Sequence, residues 1–223
     1  MKQKNKNNKE KRKRMVIFGT FFNSEMGGIK DLLVLLGKGK KVEIIDKEYQ
    51  RRKFSGPWGL KELAELYKGF SLNELKSVSL KYCRQNLLKG LKEASLLLKE
   101  RGFLTGAISS NPQFLMDVVK DILLLDFAVG TELEFKKAVA TGLIKKEVNR
   151  YTKTEILKIK RKKYEVDKKD VITLGRLAPS HLPLTKEVGK YIGFVPTKET
   201  MSDVFQMIMA NKNLKKLFSE RSK

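Results

Sequence analysis

Apolar residues follow two different patterns in the first hundred positions of the chain. Residues 15–18 form a continuous apolar run that ends at Gly19, and such short runs are typical of strands buried on both faces. Between residues 26 and 100, leucines recur at helical spacing with Lys and Glu between them, which predicts amphipathic helices. Ser71 and Glu74 have the spacing of a capping box, so we expect one helix to begin after Ser71.

Strand-like and helix-like patterns alternate in the rest of the chain. The predicted strands lie at 103–108, 127–129, 171–174 and 192–195, the predicted helices at 114–125 and 154–164, and a polar turn at 109–112. This alternation predicts an α/β fold, a Rossmann-like parallel sheet with helices on both faces. Ligands of such sheets bind beyond the carboxyl ends of the strands.

The sequence predicts three parts. A flexible basic arm occupies 1–14, a core comprises 15–25 and 91–223, and a small helical cap at 26–90 is inserted after the first strand. The arm holds eight Lys and Arg against one Glu and has no apolar residue after Met1, so it cannot offset its ordering entropy by burial. Either Met1 or Met15 is consistent with a translational start.

The charge of the chain directs attention to anionic partners. Forty-eight Lys and Arg stand against 25 Asp and Glu, a formal net charge of +23, while 41% apolar residues exclude a disordered chain. Nucleic-acid binding through the arm is one consequence, although no RNA-binding aromatic motif, helix-turn-helix or zinc finger accompanies the charge. An acidic protein partner is another.

Thiol, zinc and membrane chemistry have little support. Cys83 and His181 are the single cysteine and the single histidine, too few for a disulfide or a Cys/His zinc cluster. No apolar stretch approaches the roughly 20 residues of a membrane span, and no signal-peptide core follows the basic start. We expect no membrane association and a cytoplasmic location. The oligomeric state stays open.

Six short segments of the chain are informative through their order and spacing: TGAISS at 105–110, DFA at 126–128, TELE at 131–134, TG at 141–142, KTEIL at 153–157 and LPL at 182–184. In order and spacing they resemble the phosphoserine phosphatase-like branch of the haloacid dehalogenase superfamily. The resemblance spans roughly residues 15–197 and includes the small helical cap. It implies the same α/β fold.

The resemblance also implies a chemistry. In that family an aspartate attacks the phosphoryl group, a second aspartate two residues later acts as acid and base, and carboxylates of the first and last loops hold Mg²⁺. Here Gly19 stands at the nucleophile position and Phe21 at the acid/base position. The acidic positions of the last loop match Leu177 and His181. We therefore expect no catalytic residue and no metal or other cofactor.

A register shift in the last loop does not change this expectation. Moving the match by one residue places Arg176 and Ser180 at the acidic positions, and neither carries a carboxylate.

The phosphate-recognition half of the family pattern is retained. The resemblance matches Ser109 to the serine that donates to a phosphoryl oxygen and Lys153 to the lysine that offsets the phosphate charge, while Ser110 and Asn111 add donors at a helix start. The alternative interpretations are an N-cap or turn role for Ser109 and a surface position for Lys153.

Three functions follow from these observations. The first is a catalytically inactive phosphoserine phosphatase-like protein that binds a phosphorylated small molecule or an acidic protein. The second is a magnesium-dependent phosphomonoesterase that uses other carboxylates, for example Glu25, Asp46 or Asp170. The third is nucleic-acid binding through the arm. In the first case Phe21 and Phe22 either fill the emptied site or form a partner-facing patch.

Overall fold

The computed structural model describes residues 13–52, 59–149, 151–175, 184 and 187–193. Within these residues the chain forms the strands β1 (Arg14–Phe18), β2 (Phe103–Pro112), β3 (Phe127–Lys136), β4 (Val139–Lys146), β5 (Val171–Gly175) and β6 (Lys190–Gly193). The helices are α1 (Gly28–Leu35), α2 (Gly39–Arg52), α3 (Leu60–Glu65), α4 (Leu72–Asn86), α5 (Leu91–Glu100), α6 (Gln113–Leu123) and α7 (Thr152–Tyr164), with a 3-10 turn at Lys168–Asp170.

The strands form one sheet in the order β4-β3-β2-β1-β5-β6. All neighbouring pairs are parallel except β3 and β4, which are antiparallel. Strand β1 is central, since Phe18 lies opposite Ala107 of β2 on one side and Leu174 of β5 on the other. The predicted α/β fold with a mostly parallel sheet is confirmed.

Alternate residues of β1 belong to two separate apolar clusters, one on each face of the sheet. Val16 and Phe18 belong to a large cluster that includes residues of α1, α3, α4, α5 and α6. Met15 and Ile17 belong to a second cluster that includes residues of α7. Because successive side chains of a strand point to opposite faces, one buried strand anchors helices on both sides.

The helical section 26–90 packs against the sheet through this large cluster. Leu32, Leu63 and Tyr67 share it with Val16 and Phe18. The Oγ of Ser71 accepts a hydrogen bond from the N–H of Glu74 at 3.2 Å, which confirms the predicted start of α4. The division of the chain into a cap and a core stays a prediction.

Two boundaries differ from the sequence prediction. Arg14, which was placed in the flexible arm, is the first residue of β1: it pairs with Phe103, and its guanidinium lies 5.9 Å from the centroid of that ring. Residues 1–12 lie outside the described residues. The expected polar turn at 109–112 is an irregular part of β2 instead: the strand runs to Pro112, which pairs with Thr131, but its register with β3 shifts between Ile108 and Pro112.

The hairpin of β3 and β4 was missed because its turn lacks the usual residues. Lys137 and Ala138 form the two-residue connection with φ of 48° and 62°. Such turns favour Asn and Gly, which tolerate positive φ, so a Lys-Ala pair gave no signal. Among the described residues, no helix combines the length and the apolar character that crossing a membrane requires.

Candidate functional site

The carboxyl end of β1 is the centre of the candidate site. The N–H of Gly19 donates to the carbonyl of Leu174 at 2.7 Å, which holds β1 and β5 together as both strands end. A Cβ on Gly175 would lie 3.4 Å from the Cα of Gly19. Phe18 is in register with Ala107, so Ser109 lies just beyond the level of Gly19 on the neighbouring strand. The carboxyl ends of β1, β2 and β5 therefore lie together at one edge of the sheet.

Ser109 is a buried strand residue at this edge. Its Oγ accepts a hydrogen bond from the N–H of Asn111 at 3.2 Å. Helix α6 has Pro112 at its N-cap with no side-chain cap, so the N-cap interpretation of Ser109 is wrong. No described residue accepts the hydroxyl proton of Ser109, which leaves a donor at this edge. Ser110, the next residue, is half-buried.

Asn111 has a role that the sequence did not indicate. Its Oδ1 accepts a hydrogen bond from the N–H of Ile29 at 2.9 Å and so caps the first turn of α1 from across the molecule. A Cβ on Gly28 would lie 2.7 Å from Leu115 and 3.0 Å from the ring of Phe22, so any larger residue would have to displace these buried side chains. The tight packing explains why the chain has a glycine at the first position of α1.

Lys153 lies in the first turn of α7 with only 3% of its surface exposed. It shares the buried side of the helix with Ile156 and Leu157, which belong to the cluster of Ile17 and Ile108. Burial lowers the pKa of its ammonium group from 10.5 to about 8. Among the described residues, no carboxylate or other acceptor pairs with this ammonium. The surface interpretation of Lys153 is wrong.

The connection from β4 to β5 places Lys153 at the same edge as Gly19 and Ser109. The N–H of Val148 donates to the Oγ1 of Thr131 at 3.2 Å, and Thr131 pairs with Pro112 at the end of β2. Helix α7 therefore begins near the carboxyl ends of the strands, and it leads to β5, whose first residue lies at the opposite edge.

Phe21 and Phe22 are buried behind the end of β1. Their side chains are 2% and 5% exposed, and they belong to the large apolar cluster. The ring of Phe22 lies 4.8 Å from that of Tyr82, centroid to centroid. The partner-facing patch is therefore wrong, and the side chains contribute apolar volume where the resemblance implies an acid and base.

The backbone around these rings joins the two chain segments that lead into and out of the helical section. The N–H of Leu88 donates to the carbonyl of Phe21 at 2.9 Å, and the N–H of Asn23 donates to the carbonyl of Asn86 at 2.9 Å. Cys83, one turn earlier on α4, is fully buried, and burial raises its pKa to about 12. It is an inert packing residue.

The carboxylates considered for an active phosphatase do not come together. Asp46 forms an ion pair with Lys30, and Asp170 immediately precedes β5 and so lies at the opposite edge from Gly19. Glu25 lines a cavity of about 500 Å³ together with Asp31 and other residues of α1 and α4. The described part of the chain contains no group of three or more His, Cys, Asp or Glu that could hold a metal ion.

Magnesium prefers a set of hard oxygen ligands. Gly19 and Phe21 provide no side-chain oxygen, so the two positions at which the resemblance implies aspartates supply no carboxylate for this ion. Leu177 and His181, with Arg176 and Ser180, lie outside the described residues, and the expectation for them stays a prediction.

Phosphoserine phosphatases of two organisms resemble the chain in sequence over most of its length. A phosphoserine phosphatase from Archaeoglobus fulgidus is 28% identical over 206 residues, which cover 91% of this chain and 58% of that protein. A phosphoserine phosphatase from Methanocaldococcus jannaschii is 25% identical over 189 residues, 83% of this chain and 87% of that protein. The chain is a relative of the phosphoserine phosphatases. This similarity agrees with the resemblance that the order of its segments implied.

The fold agrees with this relationship. A solved structure described as a phospho-aspartyl intermediate analogue of phosphoserine phosphatase matches 82% of this chain and 87% of its own, with a TM-score of 0.68 and 23% identity. No protein-family model matches the chain. The chain spans little more than half the length of the Archaeoglobus phosphoserine phosphatase.

Proposed function

We propose that this relative of the phosphoserine phosphatases binds a phosphorylated small molecule at the carboxyl edge of its sheet and does not hydrolyse it. The observation that carries the proposal is Lys153, whose side chain is almost completely buried and whose ammonium has no partner among the described residues. A buried, unpaired charge is unfavourable, and a bound phosphoryl group would neutralise it. Ser109 and Ser110 would add hydroxyl donors at the same edge.

The absence of hydrolysis is proposed from the side chains at the end of β1. Gly19 has no atom that can form a phosphoenzyme bond, and Phe21 has no proton to give to a leaving group. Nucleophile and metal act on the same transition state, so losing both costs many orders of magnitude in rate. Residues 176–183 contain no Asp or Glu that would restore a metal ligand.

Calorimetric titration with inorganic phosphate and with O-phosphoserine tests the binding. We expect both to bind without Mg²⁺, and we expect K153Q to weaken binding at least tenfold. K76Q, which removes an exposed lysine of α4, is the matched control and should bind as the wild type does. Equal affinity of K153Q and the wild type would overturn the proposed site.

A second candidate is a magnesium-dependent phosphomonoesterase. The relatives favour it, since two curated proteins named phosphoserine phosphatase match 91% and 83% of the chain. Release of phosphate from O-phosphoserine and from an aryl phosphate, with Mg²⁺ and with a chelator, separates the two candidates. Turnover that requires Mg²⁺ would show that the protein is an enzyme and would overturn the proposal that it binds its ligand without hydrolysis. An acidic protein partner is supported by the net charge of +23 alone and stays a prediction.

A further inference from the structure

Three lysines on and beside α7 form a cationic surface that is distinct from the buried Lys153. Lys160 and Lys163 belong to the second half of the helix, and Lys146 ends β4. We call these three residues the lysine face. In the part of the chain that the structure describes, none of them forms an ion pair.

Their neighbours behave differently. Lys158 and Arg161 contact the carboxylate of Glu187, and Lys158 also pairs with Glu155 at 2.8 Å. Glu155 and Glu187 are therefore paired with other residues than the lysine face. Glu132 lies opposite Lys146 in the strand register without an ion pair between them.

Aromatic packing holds two of the ammonium groups in place. The Nζ of Lys160 lies 5.2 Å from the ring centroid of Phe127, and the Nζ of Lys163 lies 5.6 Å from that of Tyr164. The two rings stack on each other with centroids 5.6 Å apart and an interplanar angle of 20°. The positive groups therefore rest on one rigid pair of rings.

The lysine face concentrates like charge. Burial lowers the pKa of Lys160, and the charges of Lys163 and Lys146 lower it further, so each of these two lysines is close enough to repel Lys160. The dipole of α7 accounts for basic residues in its last turn, among them Lys162 and Lys163. It does not account for Lys146, which lies on a strand, and Lys160 lies just before the last turn of α7.

We propose that the lysine face binds the phosphodiester backbone of a single-stranded nucleic acid. Several unpaired lysines on a chain of charge +23 match a regularly spaced line of phosphates. Ile159 lies among the lysines with 65% of its surface exposed, and it offers an apolar contact to an unstacked base. Tyr151, at the start of the same helix, is 72% exposed and extends this contact with an aromatic ring.

Fluorescence anisotropy with a labelled single-stranded oligonucleotide tests the proposal on the full chain. Affinity should fall steeply between about 50 and 200 mM salt. The variant K146Q/K160Q/K163Q should bind at least tenfold more weakly at the low-salt end, and the slope of log K against log salt should decrease by about 2, since each phosphate contact on a single strand contributes about 0.7.

Three controls make the result specific. K76Q/K81Q/K89Q removes the same charge from exposed positions on and after α4 and should bind as the wild type does. K146R/K160R/K163R keeps the charge and should retain binding, which separates loss of contact from loss of fold. K40Q, which removes an exposed lysine of α2, should also bind the oligonucleotide unchanged.

Four outcomes would overturn the proposal. The first is equal binding by the lysine-face variant and its α4 control. The second is loss of all binding on deletion of residues 1–12 when the lysine-face variant is unaffected, which would assign the nucleic acid to the arm. The third is tighter binding of a duplex than of the single strand. The fourth is equal binding of poly-glutamate, which would indicate an acidic protein as the partner.

Discussion

Asn111, near the end of β2, accepts a hydrogen bond from the backbone N–H of Ile29, the second residue of α1, at 2.9 Å. The two residues are 82 positions apart, and the contact is buried. The first N–H groups of a helix lack acceptors within the helix, so the side chain of Asn111 provides the acceptor that α1 itself lacks. One amide oxygen therefore fixes the first helix of the helical section to the sheet.

Replacing Asn111 by alanine should lower the free energy of unfolding by about 1–3 kcal/mol, since a buried N–H would lose its acceptor. N111D keeps an oxygen at the same place and should recover most of the loss, because a carboxylate near a helix N-terminus is favourable. Urea denaturation measures both. If N111A and the wild type have equal stability, the N–H of Ile29 is satisfied in another way and the anchoring role is wrong.

The close approach at Gly28 gives a second prediction. A Cβ there would meet Leu115 at 2.7 Å and the Phe22 ring at 3.0 Å, so G28A should destabilise the protein by about 1–3 kcal/mol through overpacking. Gly39 is also the first residue of a helix, but its nearest neighbour would be 3.9 Å away. G39A should therefore be neutral or stabilise by up to about 1 kcal/mol. Thermal unfolding of G28A and G39A measures both effects. Equal changes in melting temperature would contradict the proposed overpacking at Gly28.

The sequence predicted elements whose signals are local and missed contacts that depend on the whole fold. Continuous apolar runs identified β1 and β5, and Ser71 with Glu74 identified the start of α4. No sequence pattern in either segment indicates the contact of Asn111 with Ile29, because the contact forms only when the sheet and α1 pack together.

The sequence likewise predicted one part of the candidate site and missed another. The order of family-like segments led to Lys153 and Ser109, but not to their surroundings. That Lys153 is buried without a described partner follows from the crossover of α7, which no local pattern encodes. The identity of Gly19 and Phe21 could be read directly, because an absent carboxylate needs no structure to be recognised.

The burial of Phe21 behind β1 gives a third prediction. Truncating this side chain should leave a cavity in the large cluster, so F21A should cost about 3–5 kcal/mol of stability. L143A removes an apolar side chain that is largely exposed on β4 and should change stability by no more than about 0.5 kcal/mol. Chemical denaturation compares them, and a small effect of F21A would mean that the ring does not fill the former acid/base position.

The depressed pKa of Lys153 makes stability depend on pH in a defined direction. Between pH 8 and 10.5 the unfolded chain retains a proton that the folded chain has released, so the stability that this group contributes rises with pH. K153M removes the titration. The variant should therefore be more stable than the wild type below pH 8, and the advantage should shrink by about 3 kcal/mol by pH 10.5.

Phosphate provides the link between this pH dependence and the proposed binding site. A bound phosphoryl group favours the charged ammonium, so saturating phosphate should return the pKa of Lys153 toward its ordinary value and remove the difference in pH dependence between K153M and the wild type. Urea denaturation across this pH range, with and without phosphate, measures both effects. A difference that is constant with pH would show that the buried ammonium is already neutralised by another group. A pH-dependent difference that phosphate leaves unchanged would show that the anion binds elsewhere.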